Sequence, residues 1–119
     1  MSESIIKKRT FDFAIKVVRL CKVLTTKEKQ YIIAKQLLRS GTSIGANVRE
    51  ALNCQTKHEF IYKLSISQKE CDETLYWLEL LKATDHISQP EFAALHTEAS
   101  SLLKIIRSII LTTKNTHNL

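Results

Sequence analysis

The stretch QLLRSGTSIGANVREAL, Gln36 to Leu52, contains both glycines of the 119-residue chain, Gly41 and Gly45. They stand four apart among Ser40, Thr42, Ser43 and Ala46. Leu37, Leu38, Ile44, Val48 and Leu52 keep a helical apolar period through them. A glycine inside a helix costs roughly 1 kcal/mol relative to alanine. Two on one face, one turn apart, answer a need that a side chain would obstruct. Close approach of another helix is such a need: small residues let two backbones meet, a steric logic best documented in membranes. The rival reading is a break at Ser40-Gly41, with a new helix start capped by Thr42 or Ser43. The unbroken apolar period favours one continuous helix.

Working outward, Ser/Thr-x-x-Glu capping boxes stand at Thr25 with Glu28, Thr56 with Glu59, and Ser88 with Glu91, the last with Pro90 in the first turn. Each opens a long stretch of helical spacing. A fourth stretch precedes the first box, with Thr10 as its expected cap. The spacing predicts helices at about 10–24, 26–53, 57–84 and 89–113. The first carries Phe13, Val17, Cys21 and Leu24. The third carries Phe60, Leu64, Ser67, Cys71, Thr74, Leu78 and Leu81; the fourth carries Phe92, Leu95, Ala99, Leu102, Ile106, Ile109 and Thr113. Alternating steps of four and three are the pattern of near-parallel packing. With short connections, the expectation is an all-α, antiparallel up-down-up-down four-helix bundle in a single domain, 1–119. One proline and two glycines are too few for a sheet protein with a turn at every hairpin.

Cys21, Cys54 and Cys71 make an odd count without a CxxC pair. On apolar stripes they read as small reduced core residues, which fits a cytoplasmic location. No apolar run approaches the ~20 residues of a membrane span, and MSESIIKKRTF lacks a signal-peptide core. No partner membrane and no cofactor is expected. The chain has no GxxxxGK, HExxH or GxSxG. Glu70 and Glu73 lack the Glu-x-x-His pattern of a di-metal bundle. Cys54 and His58 alone are too few for structural zinc. The expectation is a protein that is not an enzyme and holds no metal.

Net charge is +6, unevenly spread. Met1–Asn53 holds eleven Lys/Arg against four Asp/Glu; Cys54–Leu119 holds seven against eight. A one-sided charge suits a polyanionic partner, or unlike halves meeting between subunits. Lys7, Lys8 and Arg9 precede the first helix, Lys16, Arg19 and Lys22 fan around one side of it, and Lys35, Arg39 and Arg49 lie on the second. These nine are the candidate nucleic-acid contacts. No stacking platform, zinc finger or helix-turn-helix accompanies them, so binding would be backbone-directed, to RNA more than DNA.

The third predicted helix also carries Tyr62, Ile66, Tyr76, Trp77 and Leu80 away from its main stripe, a pattern that fits burial on a second side by another subunit, or completion of the monomer core by Trp77 and the tyrosines. Ser40, Ser43, Asn47 and Glu50 form a polar stripe on the second, readable as a solvated face or as a hydrogen-bonded subunit contact.

QLLRSGTSIGANVREA followed by KLSISQKECDETLYWLELL resembles the bacterial four helix bundle protein family. Its members include proteins encoded in intervening sequences of large-subunit ribosomal RNA genes. The resemblance runs from about Ile5 to Thr113. Members are similar in fold to the accessory protein of diversity-generating retroelements, a basic homopentameric barrel that works with a reverse transcriptase and its RNA. The resemblance thus implies a bundle, a homopentameric ring, and RNA or a reverse transcriptase as partner. It implies no enzyme. Carried over by position, the signature residues are Arg39, Ser40, Ser43, Gly45, Asn47 and Glu50, then Glu70, Glu73, Tyr76 and Trp77; Gly41 joins them as a contact residue. Asn53 and Cys54 replace the glycine and small residues of many relatives, which leaves the end of the second helix open. A ring needs two different patches meeting head to tail. Basic helices against Glu70, Asp72, Glu73 and Glu79 of a neighbour would supply them.

Overall fold

A computed structural model describes residues 3–116. Its four helices are α1 (Glu3–Thr26), α2 (Tyr31–Leu52), α3 (Lys57–Ala83) and α4 (Gln89–Lys114). They form an antiparallel bundle 52 Å long and 20 Å across. Sequential helices share the heaviest contacts, and α4 closes more lightly on α1. The core runs the length of the bundle through Phe13, Val17 and Leu24 of α1, Leu37, Ile44 and Val48 of α2, Leu64, Leu78 and Leu81 of α3, and Leu102 and Ile106 of α4.

The continuity of α2 and the starts of α3 and α4 follow the sequence. Helix α2 is continuous through both glycines. At α3, Thr56 Oγ1 accepts the Glu59 N–H at 3.1 Å. At α4, Ser88 and Glu91 complete the reciprocal capping box, with Pro90 in the first turn. The last two helices end within a residue of expectation.

Two starts differ. Thr10 does not cap α1, which begins at Glu3. Thr10 is buried, and its hydroxyl donates to the Ile6 carbonyl at 2.8 Å. It occupies a core position one turn beyond buried Ile6, so the packed stripe continues towards the N-terminus. The bond back to residue i−4 lets a hydroxyl sit there without an unmet donor. Nor do Thr25 and Glu28 cap α2. Thr25 closes the last turn of α1 and donates to Cys21 O at 2.8 Å. Leu24 is fully buried, so core packing carries α1 past the point where the box would end it. The chain then reverses through Lys29 at φ 56°, and Gln30 caps α2, its side chain accepting from Ile33 N at 3.2 Å.

The glycines serve close approach within the chain. A Cβ on Gly41 would lie 2.8 and 2.9 Å from the two γ-methyls of Val17. A Cβ on Gly45 would lie 3.2 Å from the carbonyl oxygen of Thr10. Helix α1 therefore rests on the glycine face of α2. Between α2 and α3 the core is polar in two places. Ser67 Oγ donates to Ile44 O at 2.8 Å. Ser40 and Thr74 hydroxyls are 2.9 Å apart, and Thr74 Oγ1 is also 2.8 Å from Glu70 O, so Thr74 donates to that carbonyl and accepts from Ser40. No buried side-chain N or O is left unbonded among the described residues.

Cys21 and Cys71 are buried core residues; Cys54 departs from expectation, lying half-buried in the α2–α3 connection. Burial pushes the Cys21 thiol up to about 11 and Cys71 to about 12. With a thiol-reactive reagent near pH 8, the folded protein should label at Cys54 alone, and unfolding should release the other two.

Gly41→Ala should destabilise the protein by about 1–3 kcal/mol, since overpacking against Val17 outweighs the roughly 1 kcal/mol helix-propensity gain. Val17→Ala in the same chain should recover part of that loss, read as non-additivity in denaturant unfolding. Simple additivity would show that the two sites do not touch.

Candidate nucleic-acid interface

The fold divides the nine candidate cations into two groups. Lys7, Lys16, Arg19, Lys22, Lys35 and Arg49 are exposed and have no acidic partner among the described residues. Lys8 pairs with Asp12 at 2.8 Å one turn along α1, both groups in solvent. Such an exposed i,i+4 pair is worth about 0.3–0.5 kcal/mol, so Lys8 stays available to a stronger anion. Arg9 and Arg39 are committed inside the chain. Arg9 Nη2 lies 2.8 Å from Glu98 Oε1 and 3.0 Å from Ser101 Oγ, fastening α1 to α4. Arg39 Nη1 bonds Glu70 at 3.1 Å and Nη2 bonds Glu73. Glu73 also accepts from Trp77 Nε1 at 3.0 Å.

This second network alters the reading of the acidic side. Glu70 and Glu73 are held by Arg39 of their own chain, and Glu79 meets His96 at 2.8 Å. Asp72 lies 3.8 Å from Arg107, and both Asp72 and Glu79 keep more than half of their side chains in solvent. Ser40 likewise belongs to the α2–α3 core and not to an open polar stripe. Ser43 donates to Arg39 O at 2.6 Å and Asn47 to Ser43 O at 2.8 Å, both bonds local to α2. Glu50 reaches Lys63 at 2.7 Å across to α3.

The exposed cations gather on α1 and the adjoining part of α2. Lys8, Arg19 and Lys22 lie on the solvent face of α1, with Lys16 on its flank. Lys8 to Lys22 spans about 21 Å at 1.5 Å per residue. Lys27 and Lys29 prolong the row in the exposed α1–α2 connection. The sequence reading did not single them out because it placed that segment inside a helix. Its signal was there: two lysines around one glutamate in a polar turn.

The fold also supplies aromatics that the sequence reading did not find. Phe11 and Tyr31 are exposed at opposite ends of the α1–α2 groove, among the cations. Arg49 stands over the Phe11 ring, 5.7 Å from its centroid. Two hollows lie along the groove. One, of about 400 Å³, is bounded by Lys7, Phe11, Ala14, Gly45, Ala46 and Arg49. The other, of about 420 Å³, lies between Val18, Lys22, Tyr31, Lys35 and Leu38. On the opposite side, α3 exposes Tyr62 and Tyr76, the latter edge-on to Trp77 with centroids 5.0 Å apart.

Among the described residues no three His, Cys, Asp or Glu side chains gather as metal ligands. No described helix is long and apolar enough to cross a membrane.

Arg9→Ala should cost about 1–3 kcal/mol of stability by freeing half-buried Glu98, and it should not weaken phosphate binding. Chemical denaturation and a nucleic-acid titration of the same variant check both halves.

The chain is similar to the crystal structure of a protein of unknown function from the S23 ribosomal protein family of Bacteroides thetaiotaomicron VPI-5482. The TM-score is 0.90 at 42% identity, over 92% of this chain and 98% of that one. No curated protein matches significantly. The family model for the 23S rRNA-intervening sequence protein matches residues 2–108, and the chain belongs to that family.

Proposed function

We propose that this protein is a non-enzymatic basic bundle that binds nucleic acid, RNA in preference to DNA, mainly through phosphate contacts along α1 and the start of α2. One observation carries the reading. Eight cations on α1, its following turn and α2 (Lys7, Lys16, Arg19, Lys22, Lys27, Lys29, Lys35 and Arg49) stand exposed and without an acidic partner among the described residues, against three on α3 and α4 (Lys69, Lys104 and Lys114). Phosphates meeting them would release condensed counterions. The family's link to intervening sequences of 23S ribosomal RNA supports RNA over DNA.

A second reading has its own support. Tyr62 is 59% and Tyr76 57% exposed on α3, a face opposite the cations. Such a strip suits a subunit contact, and the family resemblance suggests a homopentamer. On that reading the ring is a scaffold for a protein partner such as a reverse transcriptase, without direct nucleic-acid binding.

Protein stripped of nucleic acid should bind a structured RNA and a single-stranded DNA with affinity falling steeply against log salt. Replacing Lys16, Arg19 and Lys22 together by alanine should lower that slope by roughly 2–3. Arg39→Ala should leave it nearly unchanged. Absence of binding even at low salt would overturn the nucleic-acid reading in favour of the scaffold.

A further inference from the structure

We propose that the hollow between the start of α1 and the end of α2 takes one unpaired base of a single-stranded nucleic acid, stacked on Phe11, with its flanking phosphates on Lys7 and Arg49. This rests on the nucleic-acid reading above and specifies what part of the ligand enters here.

Phe11 is a large apolar ring with 53% of its surface in water, although the core lies one face away. No described element covers it. The floor beside it is made of Ala14, Gly45 and Ala46, so nothing bulky fills the space next to the ring. The floor is also solid: a Cβ on Gly45 would lie only 3.2 Å from the Thr10 backbone, so α1 and α2 are in contact beneath it. The result is a hollow of about 400 Å³ with one aromatic wall.

The rim selects the occupant. Lys7 lies one turn before Phe11 on the same helix, and Arg49 holds its guanidinium carbon 5.7 Å from the ring centroid. A base can stack on a phenyl ring and on a guanidinium plane alike, and this pairing recurs where unpaired RNA is held. Glu50, the one acid at the edge, is bonded to Lys63 at 2.7 Å, which offsets the charge nearest the phosphates. An apolar protein side chain would fill the floor but leave both cations unpaired. A base with its two phosphates uses floor, wall and rim together. A fully paired duplex cannot offer its base faces, so the site selects single strands.

The test uses the full chain and a short single-stranded RNA carrying a fluorescent adenine analogue. Binding should quench the analogue by stacking. Phe11→Ala should weaken binding about tenfold, abolish the quench and leave the salt slope unchanged, because no charge is removed. Phe11→Trp should retain both affinity and quench, which guards against loss through misfolding. Arg49→Ala should lower the salt slope by about 1. Salt-dependent binding with no quench, or with Phe11→Ala behaving as wild type, would overturn the stacking site while sparing the phosphate reading. Equal affinity for a fully paired RNA duplex would overturn it too. A change of assembly mass in Phe11→Ala would assign the hollow to a subunit contact instead. Absence of any RNA binding by the wild-type chain at low salt would overturn both.

Discussion

The contact of α1 with the glycine face of α2 is the constraint on which the rest of the molecule depends. Val17 occupies the space where a side chain at position 41 would sit, and the Thr10 backbone approaches position 45 nearly as closely. Each glycine costs helix α2 roughly 1 kcal/mol of intrinsic propensity. The return is a close α1–α2 pair in which the Val17 side chain packs directly on the α2 backbone at Gly41, with fully buried Ile44 and Val48 beside the contact. Because α1 is seated so low, its other shoulder stays in water. Phe11, Val18 and the cations are left on the surface by the same packing that buries Phe13 and Val17.

A different device sets α2 against α3. Apolar packing tolerates small sliding, but a hydrogen bond between a side chain and a chosen carbonyl does not. Ser67 finds the Ile44 carbonyl, and Ser40 finds Thr74. Each bond is formed in a region without water, where an unmatched hydroxyl costs about 1–3 kcal/mol, so a shift in register is penalised at both points. The Arg39–Glu70–Glu73 cluster lies on the surface above Thr74 and adds less, because solvent screens it. Of the polar stripe read on α2, Ser40 and Glu50 fasten it to α3, while Ser43 and Asn47 bond within α2.

The charge distribution gains meaning from the same geometry. Counted along the chain, the first half is basic. Counted by what each cation touches, Arg9 and Arg39 drop out and Lys27 and Lys29 come in. What remains is a set of exposed cations on α1, its following turn and α2, with the aromatic rings of Phe11 and Tyr31 among them. The acidic residues of α3 and α4 stand on other sides and already have partners, so the electrostatic field is directed as well as positive.

Periodicity and capping chemistry are local, and they were enough to read four helices, their antiparallel order, the capped starts of α3 and α4, and the continuity of α2 through Gly41 and Gly45. They failed where tertiary packing overrode a local signal: buried Thr10 is a core residue, and Thr25 is held in α1 because Leu24 is needed in the core. The amino-acid sequence alone determined that this chain is a bundle with a basic half. Only the tertiary structure decided which helix the glycines receive, which cations stay free, and that Phe11 is left in the open. The physical reason is distance along the chain. Arg9 meets Glu98, Arg39 meets Glu70 and Val17 meets Gly41 across separations that no local pattern records, and each pairing exists only once the helices have packed.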